Sequence, residues 1–138
     1  MKILIMGLPG SGKTTLTQAI VNKLRFKNKG VCWINADAVR AAANDWDFSH
    51  EGRIRQCRRI SDKASLLVDT DYVICDFIAP TNEIREIFNA DFVIWMDTIT
   101  EGRFEDTNKV FIKPTIFNIR VTEKDSEKWS DIIIDILK

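Results

Sequence analysis

KILIMGLPGSGKTT, residues 2–15, is the stretch that decides the fold. After Lys2 the run to Met6 is apolar throughout, which suits a strand buried on both faces of a parallel sheet. Gly7-Leu8-Pro9-Gly10-Ser11-Gly12-Lys13-Thr14 then fits G-x-x-x-x-G-K-[ST]. The motif sits where its mechanism requires it, after a strand and at the opening of a helical stretch near 12–26. Consecutive backbone N–H groups of such a loop point inward and bind phosphate oxygens, and glycine permits the positive φ and the close approach. Lys13 suits the β- and γ-phosphates of ATP and the Thr14 hydroxyl suits Mg²⁺. The expected ATP set is therefore Gly7, Pro9, Gly10, Ser11, Gly12, Lys13, Thr14 and Thr15, with Lys13 also catalytic.

Outward from this loop, strand-length apolar runs recur at 31–34, 72–75 and 92–96, with a fifth at 117–121. Helical periodicity fills the intervals near 51–68 and 82–89 and the end of the chain near 124–137. Ile54, Cys57, Ala64 and Val68 form the expected buried stripe of the second helix. Thr122-Glu123-Lys124-Asp125 resembles a capping box ahead of the last one. This βαβ alternation predicts a parallel sheet with helices on both faces. The polar stretch 98–115 is the longest loop and the expected mobile segment.

The 138 residues make one domain, 1–138. Twenty basic against twenty acidic residues give net zero, which removes the electrostatic case for a dedicated nucleic-acid or membrane-surface binder. No apolar run approaches the ~20 residues of a membrane span, and the N-terminal run is too short for a signal peptide. Three widely spaced cysteines, Cys32, Cys57 and Cys75, read as reduced, buried thiols of a cytoplasmic protein.

A protein with this loop usually holds its metal through an acidic residue ending a neighbouring strand. Asp76 and Asp97 both qualify, with Asp76 favoured because a turn follows it. The second strand ends in Asn35-Ala36-Asp37-Ala38-Val39-Arg40, a carboxylate and a guanidinium at the sheet edge where α/β folds bind ligands. Asp37 suits the group that orients an acceptor hydroxyl, and Arg40 suits an anionic group on the acceptor. Arg53, Arg55, Arg58 and Arg59, beside Trp46 and Phe48, form a candidate site for an anion and a base. Arg103 and Lys109 are the cations placed to close over the phosphates.

These motifs in order, Asp37-x-Val39-Arg40, Phe48-Ser49-x-x-x-Arg53, Arg58-Arg59-Ile60 and Phe77-Ile78-Ala79-Pro80 after the phosphate loop, resemble the adenylyl-sulfate (APS) kinases over residues 1 to about 97. The resemblance implies a three-layer P-loop kinase fold with strand order 2-3-1-4-5, and transfer of the ATP γ-phosphate to the 3′-hydroxyl of adenylyl sulfate. It implies that Asp37 orients that hydroxyl, that Arg40 and Arg53 bind the acceptor's anionic groups, and that Phe48 stacks on its adenine. Arg58 or Arg59 would help hold the acceptor, and Phe77, Ile78 and Pro80 would line its pocket. A homodimer is implied by the same resemblance. The chain departs from the family pattern in several places, among them Gln56, which stands where the family shows Asn before its paired arginines, and the missing G-F-T-G segment. Asn35 and Ala38 replace Asp and Asn of D-G-D-N-V-R, and Ala79 replaces the serine of I-S-P, which excludes a phosphoserine intermediate there. Gly102-Arg103-Phe104-Glu105-Asp106-Thr107-Asn108-Lys109 stands in place of the lid motif K-G-L-Y-x-K-A. Asn35-x-Asp37-x-x-Arg40 after the loop is also similar to phage-type polynucleotide kinases, against which the neutral charge argues. A nucleotide-binding regulatory protein with little turnover is the alternative from another class.

Overall fold

The computed structural model describes residues 1–67 and 69–137. Five strands, β1 (Lys2–Gly7), β2 (Val31–Asn35), β3 (Tyr72–Asp76), β4 (Phe92–Met96) and β5 (Ile119–Val121), form one sheet in the order β2-β3-β1-β4-β5. Every pairing is parallel. The expected architecture and strand order are those observed.

The alternation of side chains along β1 divides the core in two. Ile3 and Ile5 join one cluster with Leu16, Ile20, Val21 and Leu24 of α1 (Lys13–Phe26) and Ile133, Ile134 and Leu137 of α6 (Ser126–Leu137). Leu4 and Met6 join the other, with Cys57, Ile60 and Ala64 of α3 (His50–Ser65) and Ile84 and Phe88 of α4 (Asn82–Phe88). A strand buried on both sides explains why the sequence shows continuous apolar runs. The predicted α3 stripe holds at Cys57 and Ala64, Ile54 is only partly buried, and Val68 lies outside the described residues. Cys57 and Cys75 are buried and reduced, with burial pushing their thiols up to about 11 and about 12, whereas Cys32 is half-buried. No helix among the described residues is long and apolar enough to cross a membrane.

Two helices go beyond the sequence reading. α2 (Ala36–Ala43) follows β2 without a break; the Asn35 side chain caps it by accepting from the Ala38 N–H at 3.0 Å, and Asn44 ends it in the left-handed region. With Val39 as its one buried apolar residue, it has almost no hydrophobic period to detect. α5 (Glu105–Val110) lies inside the stretch expected to be a loop, and Glu105 and Asp106 in its first turn favour it there. The last helix is capped by Asp125, whose carboxylate accepts from the Lys128 N–H at 3.1 Å, so it starts at Ser126 and Thr122 plays no capping part.

The strand registers bring Asn35, Asp76 and Gly7 to the same edge of the sheet, Asn35 opposite Asp76 and Asp76 opposite Ile5. Connections leaving that edge converge on one cleft.

Candidate active site

The cleft has a volume of about 930 Å³, and the phosphate loop forms one wall. Gly12 has φ 97° and Gly7 φ 153°, and a Cβ at Gly7 would sit 2.7 Å from the Met96 carbonyl oxygen, so neither position tolerates a side chain. Gly12 is the N-cap of α1 and offers no side-chain acceptor. The caps of α2, α3 and α4 differ: Asn35, Ser49 and Thr81 each accept a backbone N–H. The first amides of α1 are thus left for an anion from outside the helix. Lys13 Nζ donates to the carbonyls of Gly7 at 3.0 Å and Leu8 at 2.9 Å. Burial pushes its ammonium down to about 8 against the upward pull of the Asp76 and Asp37 carboxylates, and Arg103 adds a further downward push.

Of the two carboxylates expected for a metal, Asp76 is the one in the cleft. It is 4% exposed, and its Oδ2 accepts from Thr14 Oγ1 at 3.3 Å while Oδ1 accepts from Trp33 Nε1 at 3.0 Å. Burial raises its pKa against the hydrogen bonds of Trp33 and Thr14. A buried carboxylate beside a threonine hydroxyl is a hard-oxygen pair of the kind that takes Mg²⁺ together with substrate phosphates. Asp97 instead pairs with Arg120 at 2.6 Å, away from the cleft.

The opposite wall belongs to α2, α3 and the arm joining them. Asp37 in the first turn of α2 is exposed to the cleft, and Arg40 lies one turn on. Arg40 and Arg53 are 5% and 8% exposed, and burial pulls both guanidiniums down. Their carbons lie 4.2 and 5.5 Å from the centroid of the Phe48 ring. Neither forms an ion pair among the described residues. Arg40 Nη1 donates to the Asp45 and Asp47 carbonyls, and Arg53 donates to the Phe48 carbonyl and to Thr107 Oγ1. Phe77, Ile78 and Pro80 line the cleft, with Ala79 between them fully buried at φ 47°.

Arg58 and Arg59 do not line the cleft, contrary to expectation. Arg58 is exposed on α3, and Arg59 donates both terminal nitrogens to Asp45 Oδ2 at 2.9 and 2.8 Å. Arg55 also binds Asp45, at 2.7 Å, and Asp47, at 3.1 Å. These arginines hold the arm that carries Trp46 and Phe48. Gly7 and Ser11 of the loop are buried and do not line the cleft, Gly7 accepting from Lys13 through its carbonyl. Of the two proposed closing cations, Arg103 lines the cleft, whereas Lys109 faces away, 3.7 Å from Glu105. Thr107, Asp106 and Lys124 are among the cleft residues to which the sequence assigned no role. Lys124 follows β5 at the ligand-binding edge of the sheet, a position that strand placement alone singles out.

The family model for adenylylsulphate kinase matches residues 1–113. The chain belongs to the adenylylsulphate kinase family. Among curated members it is 35% identical over 83 residues to the adenylyl-sulfate kinase of Bacteroides fragilis, a match covering 59% of this chain and 41% of that protein. It is equally similar, 35% over 85 residues, to the cytidine diphosphoramidate kinase of Campylobacter jejuni, covering 61% of this chain and 50% of that one. Its aligned part thus spans about two-fifths to one-half of the length of these relatives. The APS kinase of Mycobacterium tuberculosis, solved in complex with AMPPNP and APS, superposes with a TM-score of 0.83 over 99% of this chain and 96% of that one. At 22% identity that likeness speaks for the P-loop kinase fold.

Proposed function

We propose that this protein is an ATP-dependent kinase that transfers the γ-phosphate to a hydroxyl of a small nucleotide-like acceptor, with the 3′-hydroxyl of adenylyl sulfate as the first choice. The observation that carries this reading is the pair Arg40 and Arg53. Two buried guanidiniums that form no ion pair among the described residues flank an aromatic ring across the cleft from the phosphate loop. Charge held out of water in this way is costly until an anion reaches it, and a ring between two cations offers a base a face to stack on. An acceptor with an aromatic base and an anionic group satisfies both at once.

In this reading ATP lies along the phosphate loop, with the α1 amides and Lys13 on its β- and γ-phosphates. Thr14 and Asp76 would hold Mg²⁺, which when bound neutralises charge on the phosphates. Asp37 accepts a hydrogen bond from the acceptor hydroxyl and takes its proton as the new P–O bond forms and the bond to ADP breaks. Arg103 spreads its charge over the transferring group from the other side. The similarity to a cytidine diphosphoramidate kinase supports a second acceptor of the same class, a cytidine nucleotide.

The test is ADP release from ATP and Mg²⁺ in the presence of adenylyl sulfate, AMP, a cytidine diphosphate derivative, a nucleoside or a 5′-hydroxyl oligonucleotide. Acceleration by adenylyl sulfate or the cytidine compound alone supports the reading and selects the acceptor. Acceleration by the oligonucleotide, with steep salt dependence, replaces it with a polynucleotide kinase. No acceleration by any acceptor makes the chain a nucleotide-binding protein.

A further inference from the structure

Arg103 reaches the cleft from an exposed position, with its guanidinium carbon 5.4 Å from the centroid of the Phe104 ring. It makes no ion pair among the described residues. The backbone before it is held far more firmly. Asn108 Oδ1 accepts from the Gly102 N–H at 2.8 Å, and Asn108 Nδ2 donates to the Gly102 carbonyl at 3.0 Å. One planar side chain therefore takes both backbone groups of a single residue, the two-point pairing that one strand makes with another. Gly102 in turn lies against the phosphate loop. A Cβ there would sit 3.2 Å from both Cδ and the carbonyl oxygen of Pro9. Thr98 Oγ1 ties the start of the same segment to the Ser11 carbonyl at 2.7 Å. Asn108 is half-buried on α5, and the residue before it, Thr107, is 3% exposed and accepts from Arg53 of α3 at 3.1 Å.

We propose that Asn108 is a positioning residue: it latches Gly102 onto the phosphate loop and so sets the backbone from which Arg103 projects over the phosphates of ATP. The proposal rests on the role given to Arg103 above. A long, exposed arginine on a free loop loses much side-chain and backbone entropy each time it meets the transferring group, and a latched backbone removes part of that loss beforehand. The chemistry selects asparagine, because only a short primary amide offers one donor and one acceptor at this reach. Aspartate lacks the donor and alanine lacks both.

Two experiments test the latch. The first needs no turnover: limited trypsin digestion read by mass spectrometry, with thermal unfolding in parallel. In Asn108→Ala, cleavage after Arg103 is expected to accelerate several-fold while cleavage at Arg25 and Arg58 keeps its native rate. Unchanged cleavage after Arg103, or equal acceleration at all sites, overturns the latch. The second is a double-mutant cycle in kcat with the acceptor that supports turnover. Asn108→Ala is expected to lower kcat roughly 10-fold, with acceptor KM nearly unchanged, and to have no further effect in an Arg103→Ala background. A second drop of the same size in that background means that Asn108 acts on the fold instead, and overturns the proposal. An unchanged kcat in Arg103→Ala alone overturns the catalytic role of Arg103 and the latch's purpose with it, leaving Lys13 and Asp37 as assigned. Should no acceptor support turnover, the kinase reading fails separately, and trypsin still decides whether the latch exists.

Discussion

Two segments face each other across the cleft, and they are held by opposite means. The arm of residues 44–49, between α2 and α3, is pinned by charge: Arg55 and Arg59 converge on Asp45, and Arg55 also binds Asp47. These contacts hold Asp45 well below the usual carboxylate range. The segment 98–108, between β4 and α5, is pinned by neutral groups, the Thr98 hydroxyl and the Asn108 amide. The difference separates cations neutralised by the arm they hold from cations that line the cleft. Arg55 and Arg59 are neutralised by the arm they hold, whereas Arg40, Arg53 and Arg103 have no ion-pair partner among the described residues. A highly charged arm tolerates an anionic acceptor beside it because its own charges cancel.

The largest effect is expected where both segments converge. Lys13→Ala should abolish phosphoryl transfer, measured as ADP formation in the presence of acceptor, because Lys13 is the ammonium that the phosphate loop itself supplies beside Thr14. Next comes the acceptor wall itself. Asp37→Ala should lower kcat by at least about 10²-fold while ATP binding, followed by calorimetry, stays intact. A near-native kcat would remove Asp37 from the proposed geometry.

The comparison then predicts a split in kinetic constants. Asp45→Asn removes the charge on which Arg55 and Arg59 converge, so the arm carrying Trp46 and Phe48 loosens. Acceptor KM should rise roughly 10-fold with kcat little changed, whereas loosening the opposite segment should lower kcat. Equal effects on kcat and KM from both sides would erase the distinction between them.

The smallest effect is in pH. Lys13 keeps its ammonium below about 8 in the free protein and loses it above, because burial favours the neutral amine. Affinity for ATP should therefore hold up to about pH 8 and then fall, by at most about tenfold per pH unit. Lys13→Met should bind weakly at every pH and show no such step. A native profile that stays flat to pH 10 would show that the ammonium survives in its buried setting.

Much of this was legible in the residues alone. The loop at Gly7–Thr14, the apolar runs on either side of it, the carboxylate closing β3 and the one just beyond β2 are local signals, each decided by neighbours within a few positions of the chain. Side-chain period and backbone conformation are short-range properties, so strands buried on both faces and a phosphate loop declare themselves without a partner. α2 and α5 did not, because eight and six residues with a single buried apolar or polar anchor carry too little periodicity. Arginines were the residues the sequence could not sort. Arg53, Arg55, Arg58 and Arg59 lie within seven positions, yet one is buried against the cleft, two grip Asp45 and one faces outward. A guanidinium's task depends on which anion lies within reach, and in this chain those anions come from other turns and other elements. Which carboxylate meets Thr14 was likewise settled only by tertiary packing, since that partner lies 62 residues away along the chain.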